Sequence, residues 1–371
     1  MKIILFSLIF LGVIAAFTSF FFNKNKPATK TLSTIVTKTD SPQTEIITKG
    51  LDTPWAIAFA PKGSSFEMLI TERPGRILIA NISGKIISTI NIPEVKEIGE
   101  GGLLGIAVDP NYKKNNYVYF YYTYATSGNK TLNRVVKAVL KDSKLLETKV
   151  LVENIPGGKN HNGGRIAFGQ DNYLYITTGD AENPSQAQDK NSLAGKILRI
   201  DTEGNKAVEN PFGNLVFSYG HRNPQGIAWD QKNMLWSTEH GRSIPISGLD
   251  EINTIQSGNN YGWPIISGDE RKSGMQTPIL NSENNTWAPA SLTVSPEGNF
   301  YFGGLRGSAL YKYEPIEKRL SEYFKNTYGR IREAVMGPDN MLYITTSNKD
   351  GRGIPKQDDD KIIRVNLSLL K

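Results

Sequence analysis

One phrase recurs six times along this chain, and no other feature limits its fold as strongly. The phrase is an alternating apolar strand, a turn of Pro, Asp, Asn or Gly, and an aromatic strand. Copies begin at Trp55 (WAIAFAPKGSSFEMLITE), Leu103 (LLGIAVDPNYKKNNYVYFYYT), Arg165 (RIAFGQDNYLYITTGD), Gly226 (GIAWDQKNMLWSTEHG), Ser291 (SLTVSPEGNFYFGGL) and Glu333 (EAVMGPDNMLYITTS). Each alternates with period two on either side of a hairpin signal, such as Pro296–Gly298 or Pro338–Asn340. Successive copies lie about 40 to 65 residues apart, the spacing of propeller blades with loop insertions. Helical periodicity is nearly absent after residue 23. Six units of about four strands each, closed in a ring, give an all-β, six-bladed β-propeller. A β-sandwich is the alternative, but it would not require six copies of one phrase. Strands near residues 44–49 and 361–367 (KIIRVNL) are placed to share one blade and clasp the ring.

The N-terminus reads differently. Residues 3–22, IILFSLIFLGVIAAFTSFFF, carry no charge and follow Lys2. Such a run is long enough to span a bilayer as a helix, and longer than a usual signal-peptide core. Phe20, Phe21 and Phe22 occupy the place where a small-residue cleavage site belongs. Residues 1–23 are therefore expected to be a signal peptide or membrane anchor, the uncleaved anchor being favoured. Residues 24–43, rich in Lys, Thr, Ser and Pro, read as a flexible linker, and 44–371 as the propeller domain. Both readings export the body to the periplasm or cell surface, secreted or tethered, with the membrane contacted through the N-terminal segment only.

Composition narrows the chemistry. The chain has no cysteine, which removes disulfide scaffolds, thiolate metal sites and cysteine nucleophiles. Any metal must be held by oxygen or by the three histidines, His161, His221 and His240. The net charge is +7, from 43 basic and 36 acidic residues, but much of the excess lies before residue 50. With no run of five basic residues and no RNA-recognition signature, nucleic acid is not an expected partner.

Four loop segments carry residues that a scaffold alone would not need. Asn160-His161-Asn162-Gly163-Gly164-Arg165 enters the third repeat, and Gly179-Asp180 ends the next strand of the same repeat. A hairpin there would bring Asp180 near His161 as a base and its orienter. Taken alone, a histidine beside a glycine pair is also an ordinary satisfied loop residue. Tyr219-Gly220-His221-Arg222-Asn223-Pro224-Gln225 offers an imidazole, a guanidinium and an amide just before a strand. In Arg330-Ile331-Arg332, alternation sends both guanidinium groups to one side, which suits an anion or, equally, a solvated edge. Arg306 adds a cation at the corresponding end of the fifth repeat. Basic groups converging on a propeller axis beside a His–Asp pair suggest a polyanionic ligand and proton abstraction.

At this point the residues resemble a known family, the soluble pyrroloquinoline-quinone (PQQ) dependent glucose/sorbosone dehydrogenases, including the aldose sugar dehydrogenases. The match spans about residues 47–368 and rests on LDTPWAIAF, GEGGLLGIAVDPNY, HNGGRIAFG, YITTGD, GHRNPQGIAW, STEHG, DEIN and GNNYGWP. The resemblance implies oxidation of the anomeric carbon of an aldose to the lactone by hydride transfer to PQQ, with His161 as general base. It implies that Asp180 supports His161, that Arg222 stabilises charge on the quinone oxygen, and that Asn223 orients the cofactor. It places Arg330 and Arg332 on the cofactor carboxylates, and Arg306 where the family often has lysine. Glu100 lies in the cofactor region where glutamine stands in the best-known members. Ca²⁺ is implied too, held by main-chain carbonyls at Gly241 and Arg242, with Asp250, Glu251 and Tyr261 resembling the surroundings of a second, structural calcium. Arg242 stands where the family has proline, and an insertion follows it.

The partners so implied are a small aldose and a respiratory electron acceptor, on a monomer or homodimer. Two other functions compete: a non-catalytic cell-surface binding module, which the altered Gly241-Arg242 turn and Glu100 favour, and a metal-dependent lactonase-type propeller, which the arginines fit poorly.

Overall fold

The six phrases become the two inner strands of six antiparallel sheets. These pairs are Pro54–Phe59 with Met68–Glu72, Leu103–Val108 with Tyr117–Ala125, and Ile166–Phe168 with Leu174–Thr178. The ring continues with Pro224–Trp229 and Leu235–Glu239, Thr293–Val294 and Phe300–Gly304, and Ile331–Met336 and Leu342–Thr346. Blades one to six are named here in that order. Each gains two outer strands, which makes five four-stranded sheets and, with one further short strand in blade five, one five-stranded sheet; the result is the six-bladed β-propeller that the repeats predict. The computed structural model describes residues 36–37, 44–243 and 247–370. The expected signal or anchor lies outside the described residues, as does most of the expected linker. Among the described residues no helix is long and apolar enough to cross a membrane.

The second strands are buried on both faces, because each sheet is covered by a neighbouring blade on either side. Their polar residues must therefore find partners within the protein. Thr71, Thr177, Thr238 and Thr345 all occupy the fourth position of a second strand. Thr71 Oγ1 accepts the Ala56 N–H (3.1 Å) and donates to the Leu104 carbonyl of the next blade (2.6 Å). Thr345 Oγ1 accepts the Glu333 N–H (3.1 Å) and donates to Pro54 O of blade one (3.3 Å). Both N–H groups sit at bulges that withdraw them from the strand ladder. The threonine thus repairs its own blade and ties it to the next.

The ring is clasped as expected. Thr44–Thr48 pairs antiparallel with Ile362–Val365, so one blade holds strands from both ends of the chain. Val36–Thr37, inside the span expected to be linker, runs parallel to Arg319–Tyr323 at the outer edge of blade five. Near the axis a polar cluster joins the blades. Arg165 donates to Glu333 Oε2 (2.6 Å), Gln225 O (3.0 Å) and Ala290 O (3.0 Å), and its guanidinium lies over Trp55.

Candidate active site

A cleft of about 740 Å³ opens where loops from several blades converge, and it contains His161, Asp180, Arg222, Arg306 and Arg330 together. The expected base and its orienter meet because two glycine-bearing segments touch. A Cβ on Gly179 would collide with the His161 carbonyl, so only glycine lets the strand end carrying Asp180 come this close. His161 has a left-handed backbone (φ 59°), and its ring Nδ1 lies 2.8 Å from Asp180 Oδ1. Asp180 is fully buried and also accepts the Glu182 N–H (2.9 Å) and the Trp263 indole N–H (2.8 Å). With three donors around it, Asp180 is an acceptor, so Nδ1 carries the proton and Nε2 is left as the basic nitrogen.

Arg222 stands over the Trp263 ring at 5.3 Å and donates to Ser243 Oγ (3.0 Å). Burial pushes its guanidinium below the usual arginine range. Its main-chain N–H and that of Asn223 are both held by Glu239, whose other oxygen takes His221 Nδ1 at 2.9 Å. His221 is therefore a buried scaffold residue that fixes the Arg222-Asn223 turn. Asn223 Oδ1 accepts the Gly163 N–H (3.0 Å), which locks this turn to the segment carrying His161.

Arg330 and Arg332 do point to one side, and an internal carboxylate meets them there. Asp350 Oδ2 accepts Arg330 Nε (2.9 Å) and Nη2 (2.8 Å), and lies 3.9 Å from Arg332 Nη2. Arg332 is buried, which pulls it down to about 9, and it donates to Gln225 and Ser347. Arg306 is exposed and donates to Ser247 Oγ (2.8 Å).

Glu100 is tied to His161. Its Oε2 accepts the His161 N–H (2.9 Å), and its Oε1 is ion-paired with Arg352. Burial alone would raise this carboxyl; the attraction of His240 and Arg352 holds it at about 2. His240 is itself kept neutral by burial, down to about 3, so Arg352 supplies the cation at neutral pH.

The side chains expected around calcium are engaged within the protein, although Gly241, Arg242, Glu251 and Tyr261 line one small cavity together. Asp250 accepts main-chain N–H groups of Gly241 (2.8 Å), Trp287 (2.6 Å) and Ala288 (2.8 Å), which makes it the anchor of the Gly241 turn. The Arg242 carbonyl accepts the Gly248 N–H (3.2 Å). Glu251 accepts from Gly268 N and Asn253 Nδ2, and burial beside Glu239 keeps its carboxyl well above the usual range. The Tyr261 hydroxyl donates to Thr254 O (2.7 Å), and its ring stacks on His221. Ca²⁺ needs six to eight oxygens. Among the described residues no group of three or more His, Asp or Glu side chains is placed to hold a metal, so this side-chain set does not fit calcium.

A polyanionic planar ligand fits better. Among the described residues, eight buried side-chain nitrogens and oxygens have no hydrogen-bond partner, and Arg222 Nε, Asn223 Nδ2, Arg242 Nε and His240 Nε2 are four of them. The unmet donors of Arg222, Asn223 and Arg242, beside several cations, match the carboxylates and quinone oxygens of PQQ. Sequence reasoning missed Trp263, Asp350 and Arg352 as individual residues; only Trp263 fell within a quoted motif, GNNYGWP.

Comparison with known proteins places this geometry. The glucose/sorbosone dehydrogenase family profile matches residues 51–363. The aldose sugar dehydrogenase YliI of Escherichia coli is 30% identical over 348 residues, covering 83% of this chain and 90% of that protein. Quinoprotein glucose dehydrogenase B of Acinetobacter calcoaceticus is 32% identical over 271 residues, covering 64% and 55%. The PQQ-bound aldose sugar dehydrogenase of Streptomyces coelicolor superposes with a TM-score of 0.79 at 35% identity, covering 88% of this chain and 99% of that one. With its repeats, its cleft and a family match over most of its length, the chain belongs to the glucose/sorbosone dehydrogenase family.

Proposed function

We propose that this protein is a PQQ-dependent sugar dehydrogenase that oxidises the anomeric carbon of an aldose to the lactone. The observation that carries the reading is the His161–Asp180 pair at 2.8 Å, in a cleft whose unmet donors and arginines suit a polyanion. PQQ, when bound, supplies a two-electron quinone acceptor for the hydride of the anomeric carbon. The chain's own groups do the rest. His161 Nε2 takes the anomeric hydroxyl proton while Asp180 holds Nδ1–H and balances the imidazolium that forms. Arg222 stabilises the negative charge that develops beside it, and Asn223 Nδ2 offers a further donor. Arg330, Arg332 and Arg306 are the residues proposed for the cofactor carboxylates, with Asp350 as the internal counter-charge that keeps the arginines from repelling one another. Trp263 positions both halves, donating to Asp180 while its ring lies under Arg222. We place the activity outside the cytoplasm, on the strength of the uncharged run at residues 3–22, with reducing equivalents leaving to an external acceptor.

The test is a titration of the protein with PQQ, with and without Ca²⁺, following cofactor absorbance and aldose-dependent dye reduction. Saturable binding with turnover is the expected result. Failure of PQQ to bind would remove the reading.

A further inference from the structure

We propose that Arg352 is a positioning residue for the proton-accepting histidine, acting through Glu100 to lock the His161 main chain. The inference rests on the reading of His161 as the base, and it assigns a task to an ion pair which that reading leaves unused. Arg352 comes from the loop after the second strand of blade six, Glu100 from the connection between blades one and two, and His161 from the connection into blade three. Three loops distant in sequence thus meet at one guanidinium. One Arg352 nitrogen pairs with Glu100 Oε1 and the other donates to Asn160 Oδ1 (2.6 Å). Asn160 in turn is held by Glu182 through its side chain (2.8 Å) and main chain (3.2 Å).

The result is a frame around His161. Glu100 Oε2 takes the His161 N–H, the His161 carbonyl accepts the Ala181 N–H (3.1 Å), and Asp180 takes ring Nδ1. A non-glycine residue in the left-handed region persists only where its surroundings over-determine it, and here they do. The frame is also linked to the arginines proposed for the cofactor. Asp350 holds Arg330 with Oδ2 and the Arg352 N–H with Oδ1 (2.9 Å). One short turn, Asp350-Gly351-Arg352, therefore spans from the cofactor side of the cleft to the base.

The frame depends on Glu100 staying ionised. Facing it are Arg352 and Arg332 from blade six, Arg222 and His240 from blade four, and His161 from the connection into blade three, while Glu182 and Asp350 face Arg352. Glu100 is only 14% exposed against 51% for Arg352, so burial opposes its charge and Arg352 offsets that burial. Without Arg352, part of what opposes burial is lost and Glu100 takes up a proton at higher pH than in the parent. The accepting bond to the His161 N–H then weakens as the solution is acidified.

The chain has only three histidines, so the full-length protein selectively labelled with ¹⁵N-histidine gives three backbone amide signals to follow against pH without any cofactor. Arg352→Ala should move the Glu100-linked titration step at the His161 amide to higher pH than in the parent protein. The step should vanish in Glu100→Gln/Arg352→Ala, where nothing at position 100 titrates, and Arg352→Lys should largely reverse the move. In turnover with PQQ and an aldose, Arg352→Ala should lose about ten- to a hundredfold in kcat below the same step, with PQQ affinity unchanged. An Arg352→Ala trace identical to the parent, or a step that survives in the double variant, overturns the proposal. Absence of turnover in the parent would count against the dehydrogenase reading alone, since the amide titration decides this one by itself.

Discussion

In the proposed reaction His161 serves as base only because its neighbours dictate which nitrogen is free. Asp180 receives three donors on two oxygens, so an amide, which accepts at only one atom, cannot keep the Nδ1 contact and the Trp263 contact at once. Asp180→Asn should lower kcat by about 10²- to 10⁴-fold, the range expected when general-base catalysis is impaired, while PQQ binding followed by absorbance stays intact. Arg330→Ala should behave in the opposite way, weakening PQQ affinity about 10- to 100-fold through loss of a charge-assisted contact, with a smaller effect on kcat at saturating cofactor. The motif positions His161, Asp180, Arg222, Arg330 and Arg332 were legible because each sits in a short run with a chemical signature. Their partners were not. Trp263 lies 83 residues from Asp180, and Arg352 lies 252 residues from Glu100; no periodicity links such pairs, and only closure of the ring brings them together. Glu100 shows the limit well: the resemblance implies a place in the cofactor region and the residue does line the cleft, but its bonds to the His161 N–H and Arg352 were not legible in the sequence.

At the level of strands, the repeated phrase marks the inner pair of every blade and is silent on the outer pair. The physical reason is burial. Inner strands are enclosed on both faces, which restricts them to aliphatic, aromatic and a few hydrogen-bonded polar residues. An outer strand such as Ile86–Asn91 alternates between half-buried and exposed positions, and the long hairpin Thr131–Lys141 to Lys144–Pro156 leaves its last strand mostly exposed. Many sequences satisfy those positions, so no common phrase results. The recurring fourth-position threonine is the detail that a reading of alternation alone overlooks. Thr71→Val keeps the shape but strands the Ala56 N–H and the Leu104 carbonyl in a dry interior. It should cost about 1–3 kcal/mol in denaturant unfolding, with little change in PQQ affinity.

Over the whole molecule, ring closure converts six modest loop clusters into one site. The strand Thr44–Thr48 closes blade six against Ile362–Val365, and the axial Arg165–Glu333 pair joins blades three and six. Blades three, four and six then present His161, Arg222 and Arg330 to a common cleft, and Glu100 reaches it from the connection between blades one and two. The electrostatics of that closure carry a pH signature. Because Glu100 is held at about 2 rather than 4.5, its pairing contributes stability that is complete above 4.5 and is lost as pH falls toward 2. The central claim, that this cleft runs PQQ-linked aldose oxidation with His161 as base, is tested most directly with His161→Gln. The measurement is PQQ binding by absorbance alongside aldose-dependent dye reduction, parent and variant side by side. Unchanged binding with turnover abolished is the predicted result, and turnover surviving in the variant would contradict the account.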